Sequence, residues 1–108
     1  MEFTVLERLL LGSLLPEKES FVNMKIVSAL RNEISFSEEE HKQLNFAQEG
    51  EQMKWENAGI VKEIKIGDIG MSIFKKVLEK LDENGDITPQ ICALCEKLGV
   101  FDDNTKGE

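Results

Sequence analysis

The sequence predicts an α+β fold, with about five helices packed with a small antiparallel β-sheet made of a hairpin plus a third strand. Apolar residues recur at helical spacing in the longer segments and alternate with polar residues in two short ones. Capping and turn residues separate these segments. The chain has 108 residues, 41% of them apolar and 31% charged, which is typical of a single globular domain. We expect this domain to span residues 1–101 and to be followed by a flexible tail at 102–108.

The first two helices are predicted from apolar periodicity and from their boundaries. Apolar residues from Phe3 onward predict a helix that closes near Gly12. Pro16 disfavours helix at the residue before it, and Ser20 is a good N-cap for a second helix over residues 21–34. The apolar stripe of this second helix is wide, so we expect much of its circumference to be buried at the centre of the fold. The stripe consists of Phe21, Val22, Met24, Ile26, Val27, Ala29, Leu30 and Ile34.

Three consecutive glutamates, residues 38–40, predict the start of a short third helix. Ser37 and Glu40 fit a capping box, in which each side chain accepts a hydrogen bond from the backbone of the other residue. Glu38 and Glu39 lie beside the positive end of the helix dipole, which stabilises each carboxylate by about 0.3 to 1 kcal/mol. Helix capping therefore explains all three glutamates, but it leaves Glu38 and Glu39 available to a partner.

Alternating apolar residues after the third helix predict the small sheet. They lie on both sides of a turn at Glu49–Gly50, which predicts a hairpin, although Glu-Gly is a weaker turn dipeptide than Asn-Gly. Residues 61–67 alternate again and are expected to form the third strand. The alternating residues of the hairpin are Leu44, Phe46, Met53 and Trp55.

Two further helices are predicted in the C-terminal part of the chain. The first has an apolar face and closes at Asn84–Gly85, where a left-handed backbone conformation ends helices. The second opens with Thr88 as N-cap and Pro89 in its first turn. The expected buried residues are Ile73, Val77, Leu78 and Leu81 in the first, and Ile91, Cys92, Leu94, Cys95 and Leu98 in the second.

The net charge of −8 is concentrated in the middle of the chain. Residues 33–56 carry seven acids against two lysines, a net charge of −5. A protein that binds nucleic acid needs the opposite sign, so we expect no direct binding to nucleic acid. The apolar run at residues 5–15 contains Glu7 and Arg8 and is too short to span a bilayer, so we expect no membrane partner. Two cysteines favour a reduced, cytoplasmic protein over a disulfide-rich secreted one.

The order of three helices followed by a hairpin also allows a winged-helix arrangement. The third helix of a winged-helix protein enters the DNA major groove. In this chain that helix carries Glu38, Glu39 and Glu40 against the single Lys42. A winged-helix scaffold would therefore not bind DNA in the usual manner.

No motif in the sequence predicts a metal, cofactor or catalytic site. A calcium loop starting at Asp82 would need glycine and glutamate where the chain has Ile87 and Ala93. Cys92 and Cys95 form a lone C-x-x-C without further zinc ligands, and their place on an apolar helix face predicts buried, inert thiols. The two glycines at residues 67–72 lack the lysine and spacing of a phosphate-binding loop. We expect a protein that is not an enzyme.

Several blocks of the sequence resemble a family of small, uncharacterised phage and prophage proteins. The blocks are LERLLLGSLLPEKESFVNMKIVSALR, SFSEEEHKQLNF, KWE and KEIKIG, and the similarity extends to about Leu98. The resemblance implies a phage or prophage source. It implies no activity and no site residues.

We expect a non-enzymatic phage or prophage accessory protein in the host cytoplasm. It would bind a host or phage protein through its acidic surface and act as an inhibitor or regulator, for example against a host defence system. We also expect it to form an oligomer. The alternatives are a morphogenesis assembly factor or scaffold that uses an apolar helix face, and an oligomer that sequesters a small ligand. The candidate partner-binding residues are Glu38, Glu39, His41, Glu49 and Glu51.

The acidic third helix leads to a first prediction. The purified protein should not bind duplex DNA at physiological salt, because the carboxylates of residues 38–40 would face phosphates of like charge. A gel-shift titration measures this. Micromolar binding that weakens as salt is added would contradict the prediction.

Overall fold

The computed structural model confirms the α+β class, with five helices and antiparallel strand pairs among the residues it describes. It describes residues 1–57 and 59–101, so the predicted tail at 102–108 lies outside the described residues. In chain order the elements are β1 (Glu2–Thr4), α1 (Val5–Leu14), α2 (Phe21–Ile34), α3 (Glu38–Leu44), β2 (Ala47–Glu49), β3 (Gln52–Lys54), β4 (Val61–Glu63), α4 (Asp68–Asn84) and α5 (Pro89–Leu98).

Within the described part of the chain, the strands form two separate two-stranded sheets. β2 pairs with β3 as the predicted hairpin, whereas β4 pairs with β1, with Phe3 opposite Lys62. The third strand is present but covers only Val61–Glu63 of the predicted residues 61–67. Its partner is the N-terminal segment that was predicted to be helical. Thr4 explains the difference, because it forms a capping box with Glu7 and starts α1 at Val5. The hairpin has a sheet of its own, so the winged-helix arrangement is not confirmed.

The hairpin turn lies one residue later than predicted. Glu49 is opposite Gln52, which leaves Gly50 and Glu51 in the turn. Gly50 has a φ of +62°, a left-handed conformation that glycine adopts without the steric cost of a Cβ atom. The glycine therefore occupies the first position of the turn. Every residue of the two hairpin strands, β2 and β3, is exposed.

The core lies between α1, α2, α4 and α5, with β1 and β4 at its edge. Its buried members include Phe3, Leu11, Leu30, Ile64, Phe74, Leu78 and Leu94. Gly70 permits the close packing of α4 on α2, because a Cβ atom there would lie 2.9 Å from Leu30 Cδ1. Cβ atoms essentially never show contacts that short, so a larger residue at position 70 would force the Leu30 side chain to shift.

Helix α2 has the predicted boundaries and the predicted Ser20 cap, but much less of its circumference is buried than expected. Only Val27, Leu30 and Ile34 are buried. Phe21 is 77% exposed and Val22 is 64% exposed. Helix α2 contacts α1 and α4, which cover one side of it, so the apolar residues of its first turn face away from the core.

Helix α5 starts as predicted at Thr88 and Pro89, but its two cysteines differ in exposure. Cys95 is buried, and burial raises the pKa of its thiol. Cys92 is exposed, so the prediction of two buried thiols is wrong for this residue. Residues three apart on a helix differ in direction by about 60°, which is enough to move Cys92 off the buried face.

We expect the two thiols to react at different rates. Cys92 should label with a thiol reagent in the native state, whereas Cys95 should label only after unfolding, because burial limits access and disfavours the thiolate. Mass spectrometry of native and denatured samples measures this, with Cys92→Ser as the variant that isolates Cys95. Equal labelling of both cysteines in the native protein would contradict it.

Candidate partner-binding surface

Arg8 is fully buried, although it is a charged residue on a mostly apolar helix. Its Nε donates a hydrogen bond to the Ile34 carbonyl oxygen at 3.1 Å, and its Nη2 donates to the Ser35 carbonyl oxygen at 2.7 Å. The last carbonyls of a helix have no partner within the helix. Arg8 therefore satisfies the C-terminal end of α2 from its position in α1.

Glu40 neutralises the Arg8 charge from the first turn of α3. Arg8 Nη1 donates to Glu40 Oε2 at 2.8 Å, and Nη2 donates to Oε1 at 3.1 Å, so the ion pair is bidentate. The Phe36 ring stacks on the guanidinium, with its centre 4.0 Å from the Arg8 Cζ atom. Hydrogen bonds from Arg8 lower the pKa of Glu40 to about 2, although partial burial opposes the shift.

The same carboxylate closes the predicted capping box. Ser37 Oγ accepts a hydrogen bond from the Glu40 backbone amide at 3.1 Å, and Glu40 Oε1 accepts one from the Ser37 amide at 2.9 Å. This confirms the capping box that the sequence predicted. Glu40 therefore has both a local and a tertiary role, and it fixes the start of α3 against α1 and the end of α2.

Glu38 and Glu39, unlike Glu40, do not bond to Arg8 or to the Ser37 cap. Both side chains are exposed, and neither forms an ion pair within the part of the chain that the structure describes. They begin a helix whose position is fixed by Glu40, so their two charges project from a defined place on the surface.

An aromatic cluster of Phe36, His41, Phe46 and Trp55 connects α3 to the hairpin. Ring centres are 5.1 Å apart for Phe36 and Phe46, 5.6 Å for His41 and Phe46, and 6.1 Å for Phe46 and Trp55. All three pairs are T-shaped, a favourable geometry for aromatic rings. His41 is exposed and the other three rings are half-buried, so the cluster forms part of the surface.

The remaining two candidate residues lie at the tip of the hairpin. Glu49 is 3.3 Å from Lys54 across the strands, and both side chains are largely exposed. Glu51 is exposed in the turn. The structure thus brings His41 against Phe46 at the base of the hairpin. Within the described ranges, no hydrogen bond or ion pair joins Glu38 or Glu39 to any residue of the hairpin.

The sequence reasoning missed Arg8 and the aromatic cluster. A signal for Arg8 was available, because it lies three residues from both Val5 and Leu11, which are buried in α1. An arginine at a core position of a helix needs a carboxylate or carbonyl partner. The cluster gave a weaker signal, because Phe36 precedes the helix and Trp55 lies beyond the second hairpin strand.

Comparisons with known proteins add no relative. No protein-family model matches the chain, and neither the search of curated proteins nor that of solved structures found a match.

Residues 1–57 and 59–101 contain no group of three or more histidine, cysteine or acidic residues that could hold a metal ion. None of the helices in these ranges combines the length and the apolar character needed to cross a membrane.

The Arg8–Glu40 pair predicts a specific response to acid. A lowered folded-state pKa contributes stability that is fully present above the ordinary pKa of 4.5 and is lost as the pH falls through about 2. Glu40→Gln should therefore be less stable than the wild type by about 1.5 to 3 kcal/mol at neutral pH, and the difference should shrink toward pH 2. Urea unfolding at several pH values measures it.

Two neighbouring residues are matched controls for this experiment. Glu38→Gln and Glu39→Gln remove the same charge from the same turn but do not contact Arg8, so each should change the free energy of unfolding by no more than the helix-dipole contribution of about 0.3 to 1 kcal/mol. Ser37→Ala should cost about 0.5 to 2 kcal/mol at every pH, through loss of the cap. The assigned role of the Arg8–Glu40 pair would be contradicted if the stability difference between Glu40→Gln and the wild type stayed the same at every pH.

Proposed function

We propose that this protein acts by binding another protein through the acidic surface at α3 and the hairpin. One observation carries the proposal. Glu38 and Glu39 are exposed and lack ion pairs within the described residues, on a helix held in place by the buried Arg8. Carboxylates on a fixed helix backbone lose less entropy when a partner binds than carboxylates on a mobile segment. A partner with a basic surface is the complement of this arrangement.

The aromatic cluster can supply binding affinity that the exposed carboxylates do not. Acidic residues steer a basic partner and favour it over others, but they contribute less to affinity than well-packed anchor residues. Half-buried Phe46 contacts the exposed His41 and the half-buried Trp55, and these ring contacts already order the cluster. Aromatic residues dominate binding energy in many protein interfaces. The surface therefore pairs an aromatic patch with neighbouring negative charge.

The biological role that fits this surface is regulatory and non-enzymatic. From the resemblance to phage and prophage proteins, we propose an accessory protein that inhibits or regulates a host or phage protein in the host cytoplasm. A basic, nucleic-acid-binding protein is the partner class that the charge favours, since an acidic surface competes directly with phosphate for it.

The test is a binding measurement with charge variants. The protein is first used to capture partners from host lysate, and each captured protein is purified and titrated against the wild type and against the double variant Glu38→Gln, Glu39→Gln. Glutamine keeps helix propensity and volume while removing the charge. We expect at least a roughly tenfold loss of affinity, and a wild-type affinity that falls as salt rises.

Helix α4 offers a matched control. Glu79 and Glu83 are also exposed acids on a helix, so Glu79→Gln, Glu83→Gln removes the same charge far from the aromatic cluster in sequence. This control should bind like the wild type, and thermal melts should show all three proteins folded. Equal affinity for the wild type and the α3 double variant would overturn the proposal.

A further inference from the structure

A pocket of about 240 Å³ lies between the middle of α1 and the end of α2. Pockets for drug-sized ligands are usually about 300 to 1,000 Å³, so this one suits a smaller molecule. Its wall is mostly apolar but includes two arginines, and no acidic side chain is among its described lining residues. These residues are Arg8, Leu9, Gly12, Arg31, Ile34, Ser35 and Phe36.

The two arginines differ in what they offer to a ligand. Arg8 has no exposed surface and is neutralised by Glu40, so it contributes only to the wall. Arg31 is exposed and makes no ion pair with any described residue. Glu33 lies only two positions from Arg31 in α2, so the two side chains point in different directions. The pocket therefore has one unpaired cation at its edge.

The backbone at the end of α2 does not oppose an anion in this pocket as strongly as a free helix end would. Carbonyl oxygens at the C-terminus of a helix carry partial negative charge. Those of Ile34 and Ser35 already accept hydrogen bonds from Arg8, at 3.1 Å and 2.7 Å. The positive charge of Arg31 is therefore the main electrostatic feature that a ligand meets.

Gly12 keeps the space between the two helices open. It lies inside α1, where glycine is less favourable than alanine. A Cβ atom at Gly12 would lie 3.9 Å from Ile34 Cγ2, an ordinary van der Waals distance, whereas one at Gly70 would collide with Leu30. Packing therefore requires a glycine at position 70 but not at position 12. A side chain at position 12 would instead occupy the pocket.

We propose that this pocket binds a small carboxylate with an apolar body, with the carboxylate on Arg31 and the body against Leu9, Ile34 and Phe36. A guanidinium binds a carboxylate through two parallel hydrogen bonds. The apolar wall favours an organic acid over a compact, strongly hydrated anion such as inorganic phosphate, because nothing there replaces the lost water around the rest of the anion. The site is separate from Glu38, Glu39 and the hairpin.

The test is a titration of the ¹⁵N-labelled protein with sodium benzoate, followed by NMR. Benzamide is a neutral probe of nearly the same shape, and acetate carries the charge without the ring. We expect benzoate to shift the amide signals of Gly12 and Ile34 saturably, with a Kd in about the millimolar range. Benzamide and acetate should each bind at least roughly fivefold more weakly than benzoate.

Variants of the two key residues separate the charge from the space. Arg31→Gln should weaken benzoate binding at least roughly fivefold and leave benzamide binding unchanged. Lys25→Gln removes the same exposed charge from the same helix, so it is the matched control and should bind like the wild type. Gly12→Leu should block benzoate. Gly12→Ala should raise the melting temperature, because packing does not need the glycine.

Each of four results would overturn the proposal. One is a benzoate titration into the tens of millimolar that leaves the signals of the pocket residues unshifted, and another is equal affinity for benzoate and benzamide. The third is wild-type affinity for benzoate in Arg31→Gln. The fourth is a lower melting temperature for Gly12→Ala, which would mean that the glycine serves packing. If Gly12→Leu does not fold, the benzamide and Arg31→Gln measurements still decide the outcome.

Discussion

The buried charge of Arg8 is the constraint on which the arrangement of the N-terminal half depends. A guanidinium removed from water is costly unless its donors and its charge are both satisfied. Two carbonyl oxygens at the end of α2 and the Glu40 carboxylate of α3 satisfy them, and the Phe36 ring covers one face. One residue of α1 therefore holds the end of α2 and the start of α3 against each other.

This constraint separates the three consecutive glutamates into two roles. The Glu40 carboxylate is bonded to the buried Arg8 and to the Ser37 amide. Glu38 and Glu39 belong to the same helical turn, and their charges remain on the surface. Phe36 extends the arrangement further, since it contacts Arg8 on one side and Phe46 on the other. Through Phe46, the position of the exposed hairpin is linked to the same buried charge.

Local sequence features determined the element boundaries well. The caps at Ser20, Ser37 and Thr88 and the helix end at Gly85 involve residues at most four apart, so their hydrogen bonds need no knowledge of the rest of the fold. The predicted start of α1 was less accurate, because apolar periodicity continued through Phe3 and concealed the Thr4 cap. The acidity of α3 was also evident from composition, although the separate role of Glu40 was not.

The sequence by itself determined the α+β class, most helix caps, the hairpin and the exposed acidic helix start, because these depend on short-range periodicity, turn chemistry and charge. Only the tertiary structure decided which elements meet. β4 pairs with β1 across about sixty residues, Arg8 bonds to Glu40, and the first turn of α2 keeps Phe21 uncovered. An apolar pattern indicates that one face of a helix can be buried. Which face is buried depends on neighbouring elements from distant parts of the chain, and short-range patterns do not identify them.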